Sequence, residues 1–128
     1  MSKKVLLVDD SKFQRLANER ALARAGFSVI LAGDGEEAVR VTNEESPDLI
    51  LLDMLLPKLD GVGVLRALKG NARTSKIPVI VLSGLSEANA AKLQAEGASA
   101  YFEKSAVIDK DAQKLIDTVN RLVQVKPA

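Results

Sequence analysis

Five polar residues of types that could act together lie at or just after the ends of short apolar runs. They are Asp9, Asp10, Asp53, Ser83 and Lys104. A carboxylate can attack phosphorus, a hydroxyl can donate a hydrogen bond to a phosphoryl oxygen, and an ammonium can neutralise charge on that group. If the fold brings these residues together, their side chains could carry out phosphoryl transfer.

Three of these residues are carboxylates, and gathering them in one place has an electrostatic cost. Like charges at short distance repel one another, so a shared site is unfavourable without a compensating cation. Mg²⁺ is the natural candidate, because this hard ion takes carboxylate, carbonyl, phosphate and water oxygens as ligands. It also allows a phosphate group to approach an acidic pocket. The sequence therefore predicts Mg²⁺ as the cofactor of this pocket.

Short apolar runs position these residues. The three clearest runs are Val5–Val8, Leu49–Leu52 and Val79–Leu82. They lack the alternation of a one-sided antiparallel strand, as expected where helices cover both faces of a parallel sheet. Two weaker strands are predicted at Ser28–Leu31 and Ser99–Phe102.

Between the strands the apolar residues follow a helical period. The last segment is clearest, because its apolar residues repeat at three- and four-residue steps and make one buried face. These residues are Ala112, Leu115, Ile116, Val119, Leu122 and Val123. The earlier helices are marked by Phe13, Leu16, Ala17 and Ala21, by Ala38 and Val41, by Val64, Leu65 and Leu68, and by Ala88–Ala95.

Capping signals agree with these helices. Ser11 and Gln14 have the spacing of a capping box, and Asp34 precedes two acids in the manner of a helix cap. Asp60 is expected to cap the third helix. Gly26 and Gly97 follow predicted helix ends.

Strand and helix thus alternate five times. This alternation predicts an α/β fold with a five-stranded parallel sheet, doubly wound as (βα)5 in the flavodoxin-like order 2-1-3-4-5. The crevice of such a sheet lies beyond the carboxyl ends of its strands, where the polar residues are expected to meet. At 128 residues the chain fits one domain. We place it at residues 1–124, with residues 125–128 as a tail or the start of a linker.

Composition excludes several functional classes. The chain has no cysteine, which rules out disulfide scaffolds and thiolate metal sites. Its 18 Lys and Arg against 17 Asp and Glu give a net charge of +1, too balanced to steer it broadly onto nucleic acid or an anionic membrane. No apolar run approaches the roughly 18 residues of a membrane helix, and we do not expect the opening residues to act as a signal peptide. A cytoplasmic setting is the default expectation.

Four stretches resemble the signatures of the response-regulator receiver family of two-component signalling. They are Val5–Asp10, Asp53–Gly61, Val79–Ser83 and Gly97–Lys104, and the resemblance covers nearly the whole chain. It implies that Asp53 accepts a phosphoryl group from a histidine kinase or a histidine phosphotransfer protein. Such a domain catalyses only its own phosphorylation and dephosphorylation, so it is not expected to be a conventional enzyme.

The resemblance also implies roles for the other residues. The implied Mg²⁺ ligands are Asp9, Asp10, Asp53 and the backbone carbonyl of Leu55. Ser83 and Lys104 are expected to contact the phosphoryl group. Tyr101 matches the switch aromatic: Ser83 moves toward the phosphate and Tyr101 turns inward, which reshapes the face built from the fourth helix, fifth strand and fifth helix. That face would bind an output protein or an appended output domain, without direct contact to nucleic acid or membrane.

The chain departs from the family pattern at two places. Lys104 is followed by Ser105, where the family usually has a proline after a cis bond. Leu55 and Leu85 occupy positions at which the family tunes the lifetime of the phosphate. Neither leucine can help a water molecule to attack, so fast self-dephosphorylation is not expected.

Three rival interpretations fit less well. A flavodoxin-like electron carrier needs a neutral, hydroxyl-rich phosphate loop and aromatic residues around the flavin, whereas this chain has Asp9 and Asp10 there and no Trp. A phosphatase of the haloacid-dehalogenase type carries a second acid two residues after the nucleophile, where this chain has Leu55. A receiver-shaped module that is never phosphorylated is disfavoured, because every pocket residue is present.

Overall fold

Five short strands, of which the first four are rich in Val, Leu and Ile, are joined by helices along most of the chain. The computed structural model describes residues 3–9, 11–53, 61–83, 95, 97–103 and 112–124. The strands are Lys4–Val8 (β1), Ser28–Ala32 (β2), Leu49–Asp53 (β3), Val79–Ser83 (β4) and Ala100–Glu103 (β5). The helices are Lys12–Arg24 (α1), Gly35–Glu45 (α2), Gly61–Lys69 (α3) and Ala112–Gln124, called here the C-terminal helix.

The strands form one parallel sheet in the order β2-β1-β3-β4-β5. The predicted fold class and strand order are therefore confirmed. The two weaker strands differ slightly from prediction: β2 continues one residue further, to Ala32, and β5 is shifted by one residue at both ends, to Ala100–Glu103. Of the helix predicted at Ala88–Ala95, only Ala95 is among the described residues, and it is helical.

Alternate residues of the strands feed two separate cores. Leu6 and Val8 of β1 face a cluster that includes the buried residues of α2 and α3. Val5 and Leu7 face a cluster with Leu22 of α1 and the buried face of the C-terminal helix. Because helices cover both faces of the sheet, the strands are apolar without alternation.

The caps of α2 fix the loop that joins it to β2. The Asp34 carboxylate accepts a hydrogen bond from the backbone N–H of Glu37 at 2.8 Å. Glu37 Oε1 in turn accepts from the backbone N–H of Gly33 at 3.0 Å. This reciprocal arrangement satisfies two N–H groups near the helix start and confirms the cap predicted at Asp34. At its other end α2 stops at Ser46, which has a left-handed backbone with φ 48°.

Helix α1 is present as predicted, but two of the apolar residues that marked it do not face the core. Phe13 is 76% exposed and Leu16 is 47% exposed. The buried face instead contains Asn18, 3% exposed, and Leu22, 1% exposed. Apolar side chains occur on both sides of this helix, so its sequence does not define a single inward face. The result is an amide in the core and an apolar patch on the surface, defined here by Phe13 and Leu16.

A lysine at the end of α3 joins two loops at the amino edge of the sheet. Lys69 Nζ donates hydrogen bonds to the backbone carbonyls of Ser75 at 3.0 Å and Ile77 at 2.8 Å. Burial lowers the pKa of Lys69 below its usual value of 10.5. Its aliphatic stem lies against Gly97, where a Cβ atom would come within 2.7 Å of Lys69 Cγ. Gly97 also has φ +112°, so both the close contact and the backbone favour glycine.

No helix in the described part of the chain is long and apolar enough to cross a membrane.

Candidate functional site

Two buried aspartates, Asp9 and Asp53, lie at the carboxyl edge of the sheet. Val8 of β1 pairs with Leu52 of β3, so Asp9 and Asp53 occupy the next register position on neighbouring strands. Each is 1% exposed. Parallel strands lie about 4.8 Å apart, which brings these two carboxylates into one small region. The structure places both residues at this edge, and the roles assigned to them stay predictions.

Three contacts hold the backbone and carboxylate of Asp9. Its N–H donates to the carbonyl of Ala32 in β2 at 3.1 Å. Its Oδ1 accepts from the backbone N–H of Ser11 at 2.9 Å, which turns the chain into α1. Its carbonyl accepts from Arg15 Nη1 at 3.3 Å. Asp9 is therefore fixed by β2, by the turn that follows it and by α1.

Ser83 and Tyr101 occupy the next strands along the sheet. Asp53 pairs with Leu82, so Ser83 lies one residue beyond it on β4. Tyr101 of β5 pairs with Val81 and packs, partly buried, against the core cluster that α2 and α3 cover. The carboxyl ends of β1, β3 and β4 thus bring Asp9, Asp53 and the backbone of Ser83 to the same edge.

Four other residues of the sequence-based site lie outside the described part of the chain. They are Asp10, Leu55, Leu85 and Lys104. Their roles stay predictions, as do the isomer of the bond that follows Lys104 and the cap at Asp60.

The electrostatics of the pocket suit a divalent cation. Two carboxylates buried at neighbouring positions of adjacent strands repel each other when both are ionised. A cation bound between Asp9 and Asp53 would remove this repulsion, and carboxylate oxygens are the ligands that Mg²⁺ prefers. Within the described residues no group of three or more His, Cys, Asp or Glu side chains surrounds a metal position. Asp10, the predicted third carboxylate, is not among those residues.

Sequence reasoning missed Arg15. Its guanidinium reaches back six residues to the Asp9 carbonyl, and a Cβ atom built on Gly33 would lie 3.0 Å from its Nη1. One signal could have indicated this role of Arg15. It is a basic residue on the inward side of α1, about one and a half turns from an acidic loop.

A profile of the response regulator receiver domain family matches residues 5–120. The chain belongs to this family. As a receiver domain it is a signalling module rather than a conventional enzyme, and receiver domains interact with histidine kinases.

Among curated proteins, the receiver domain is 41% identical over 121 residues to the gliding motility regulatory protein of Myxococcus xanthus. The match covers 93% of this chain and 15% of that protein. The domain spans less than half the length of the curated relatives that it matches.

Solved structures share the whole fold. The signal receiver domain of a signal transduction histidine kinase from Syntrophus aciditrophicus is 33% identical, with a TM-score of 0.87 over 99% of this chain and 95% of that one. The receiver domain of a sensor histidine kinase from Pseudomonas aeruginosa is 28% identical, with a TM-score of 0.84 over 97% of this chain and 99% of that one. The latter has a magnesium ion coordinated in its active site cleft.

Proposed function

We propose that this receiver domain accepts a phosphoryl group on Asp53, with Mg²⁺ in the acidic pocket, and uses it to switch a protein-binding face. The donor is the phosphohistidine of a histidine kinase or a histidine phosphotransfer protein. The observation that carries the proposal is the buried pair of carboxylates at adjacent register positions of β1 and β3. Family membership supports the same reaction and a cytoplasmic setting.

The positions of the two carboxylates favour Asp53 as the acceptor. Asp53 ends a strand that has neighbours on both sides, so Asp9 and the backbone of Ser83 flank it. Asp9 Oδ1 already accepts a hydrogen bond from Ser11 N–H, which orients that carboxylate as a ligand rather than a nucleophile.

Phosphoryl transfer here needs positioning more than covalent chemistry. An Asp53 carboxylate oxygen forms a bond to phosphorus while the phosphorus–nitrogen bond of phosphohistidine breaks, and the leaving imidazole takes a proton from solvent. The Ser83 hydroxyl and the Lys104 ammonium donate to phosphoryl oxygens while the phosphoryl group moves from the imidazole nitrogen to Asp53. Bound Mg²⁺, held by Asp9, Asp10, Asp53 and the Leu55 carbonyl, would neutralise negative charge in the pocket.

The switch follows from the neighbouring strands. Tyr101 pairs with Val81, which lies two residues before Ser83 on β4. A movement of Ser83 toward the phosphate would therefore take place close to Tyr101. Phosphorylation would shift a pre-existing equilibrium of the face that comprises residues 88–95, β5 and the C-terminal helix. Full conversion from 1:99 to 99:1 requires about 5.5 kcal/mol of differential interaction. That face would bind an output protein or an appended output domain.

The exposed apolar patch supports a protein donor. Phe13 and Leu16 lie in the first turns of α1, which begins three residues after Asp9. A donor that brings its phosphohistidine to Asp53 must cover the edge from which α1 starts. An apolar helix surface on the donor could bury both side chains, at about 25 cal/mol for each Å² removed from water.

Labelling with a small phosphodonor tests the acceptor directly. After incubation with acetyl phosphate and Mg²⁺, mass spectrometry should find one phosphoryl group on Asp53, and EDTA should prevent it. Asp53→Asn should abolish labelling, while Asp117→Asn, which removes an exposed carboxylate on the C-terminal helix, should leave it intact. Asp10→Asn should weaken Mg²⁺ binding while the domain stays folded.

Labelling that persisted in Asp53→Asn would show that another residue is the acceptor. NMR tests the switch separately, because phosphorylation should move resonances at Tyr101 and in residues 88–95. Changes confined to the surroundings of Asp53 would contradict the switch.

A further inference from the structure

The Arg15 guanidinium lies between two loops at the carboxyl edge. Its Nη1 donates to the Asp9 carbonyl at 3.3 Å. On its other side is Gly33, where even a Cβ atom would come within 3.0 Å of Nη1. Gly33 is itself held by its N–H, which donates to Glu37 Oε1 at the start of α2. The guanidinium therefore bridges the turn after β1 and the loop after β2.

The contact with Arg15 constrains the acidic turn at the carbonyl of Asp9. The N–H of Asp9 is fixed by β2 and its carboxylate by Ser11, but its carbonyl is held by Arg15. That carbonyl belongs to the planar peptide group that leads into Asp10. Fixing the carbonyl therefore limits how this peptide group can rotate.

We propose that Arg15 is a positioning residue for the divalent cation, acting through the Asp9 carbonyl to hold the acidic turn in its metal-binding arrangement. This inference rests on the Mg²⁺ site of the proposed function. Groups that orient metal ligands from outside the coordination sphere commonly change metal affinity by about 10- to 100-fold. Gly33 leaves room for the guanidinium, because a Cβ atom there would lie 3.0 Å from Nη1 and would force it to shift by a few tenths of an ångström.

Positioning and charge have opposite consequences at this residue. A guanidinium beside the pocket repels a divalent cation, so on charge alone its removal should strengthen Mg²⁺ binding. If the guanidinium positions the turn, its removal should weaken binding. The sign of the change in Mg²⁺ affinity therefore separates the two roles.

The test uses three variants of the receiver domain. Arg15→Met removes the guanidinium and keeps a long side chain with good helix propensity. Gly33→Ala keeps Arg15 and its charge but pushes Nη1 away, and Gly33 does not have the left-handed backbone that would strain alanine. Arg20→Met is the matched control, because Arg20 is an exposed arginine on the same helix.

Mg²⁺ binding is measured by NMR titration without a phosphodonor, and the Mg²⁺ dependence of acetyl phosphate labelling is measured in parallel. We expect the half-saturating Mg²⁺ concentration to rise about tenfold in Arg15→Met and several-fold in Gly33→Ala. The labelling rate at saturating Mg²⁺ should stay within about twofold of the parent, and Arg20→Met should match the parent throughout. A loss of stability alone would not produce this split between affinity and maximal rate.

An unchanged or lower half-saturating concentration in a folded Arg15→Met would overturn the inference. If Arg15→Met fails to fold, Gly33→Ala decides alone, and an unchanged half-saturating concentration there has the same meaning. The NMR titration needs no phosphorylation. A parent that bound Mg²⁺ with this dependence but took no phosphoryl group would support the role of Arg15 and refute the proposed phosphorylation.

Discussion

Replacing Asn18 by leucine should raise the free energy of unfolding of the receiver domain. Asn18 lies on the buried side of α1, one turn before Leu22, and is 3% exposed. Within the described residues its Oδ1 accepts no hydrogen bond. Leucine has the same branching at Cγ and replaces the two polar atoms of the amide with methyl groups.

The magnitude follows from the burial of the amide. A buried polar group without a partner costs about 1–3 kcal/mol, and leucine adds a few tenths of a kcal/mol of helix propensity. The two methyl groups are somewhat larger than the atoms they replace, which returns part of the gain. We expect a net increase of about 1–3 kcal/mol, equivalent to a rise in Tm of roughly 4–12 °C for a domain of this size.

Urea unfolding followed by circular dichroism measures this change, since the chain has no Trp. The midpoint should rise while the m-value stays constant. Asn43→Leu is the matched control, because Asn43 is a partly exposed amide on α2 whose Nδ2 donates to a carbonyl at 2.9 Å. It should bring no such gain. An Asn18→Leu variant less stable than the parent would refute the reasoning.

Three further predictions concern the surface, the lysine bridge and the phosphate. Changing Phe13 and Leu16 to serine should slow phosphotransfer from a protein donor at least tenfold while acetyl phosphate labelling stays unchanged; equal slowing of both would contradict the docking role. Burial lowers the pKa of Lys69, so between the lowered pKa and 10.5 the folded state binds fewer protons than the unfolded state. The free energy of unfolding of the parent, relative to that of Lys69→Met, should therefore rise with pH across this interval. A pH-independent difference between their unfolding free energies would be inconsistent with this. Leu55→Asn combined with Leu85→Glu should shorten the phosphate lifetime, measured as loss of labelled protein in one Mg²⁺ buffer, because polar side chains can orient the attacking water; an unchanged lifetime would show that the leucines do not control hydrolysis.

The parts of the fold that sequence predicted are those with a strong local pattern. Each of the three clear apolar runs forms a strand. Parallel strands place their carboxyl ends at one edge of the sheet, so the positions of Asp9 and Asp53 in the candidate site followed from the sequence. The orientation of α1 did not follow from the sequence, because apolar residues occur on both sides of this helix. Packing on the sheet decides which of them are buried. Arg15 was missed for a related reason. Its contacts join a side chain to a distant backbone carbonyl and a glycine, and such contacts have no periodicity.

The contacts of Lys69 join two loops at the edge of the sheet opposite to the candidate site. Ser83 lies at the carboxyl edge of the sheet, whereas Gly97 lies at the amino edge beneath the stem of Lys69. The Lys69 ammonium donates hydrogen bonds to two carbonyls of the loop that enters β4, and its aliphatic stem lies against Gly97. If phosphorylation moves Ser83 as proposed, that movement begins at the carboxyl edge, whereas the contacts of Lys69 tie Gly97 to the loop that enters β4 at the amino edge.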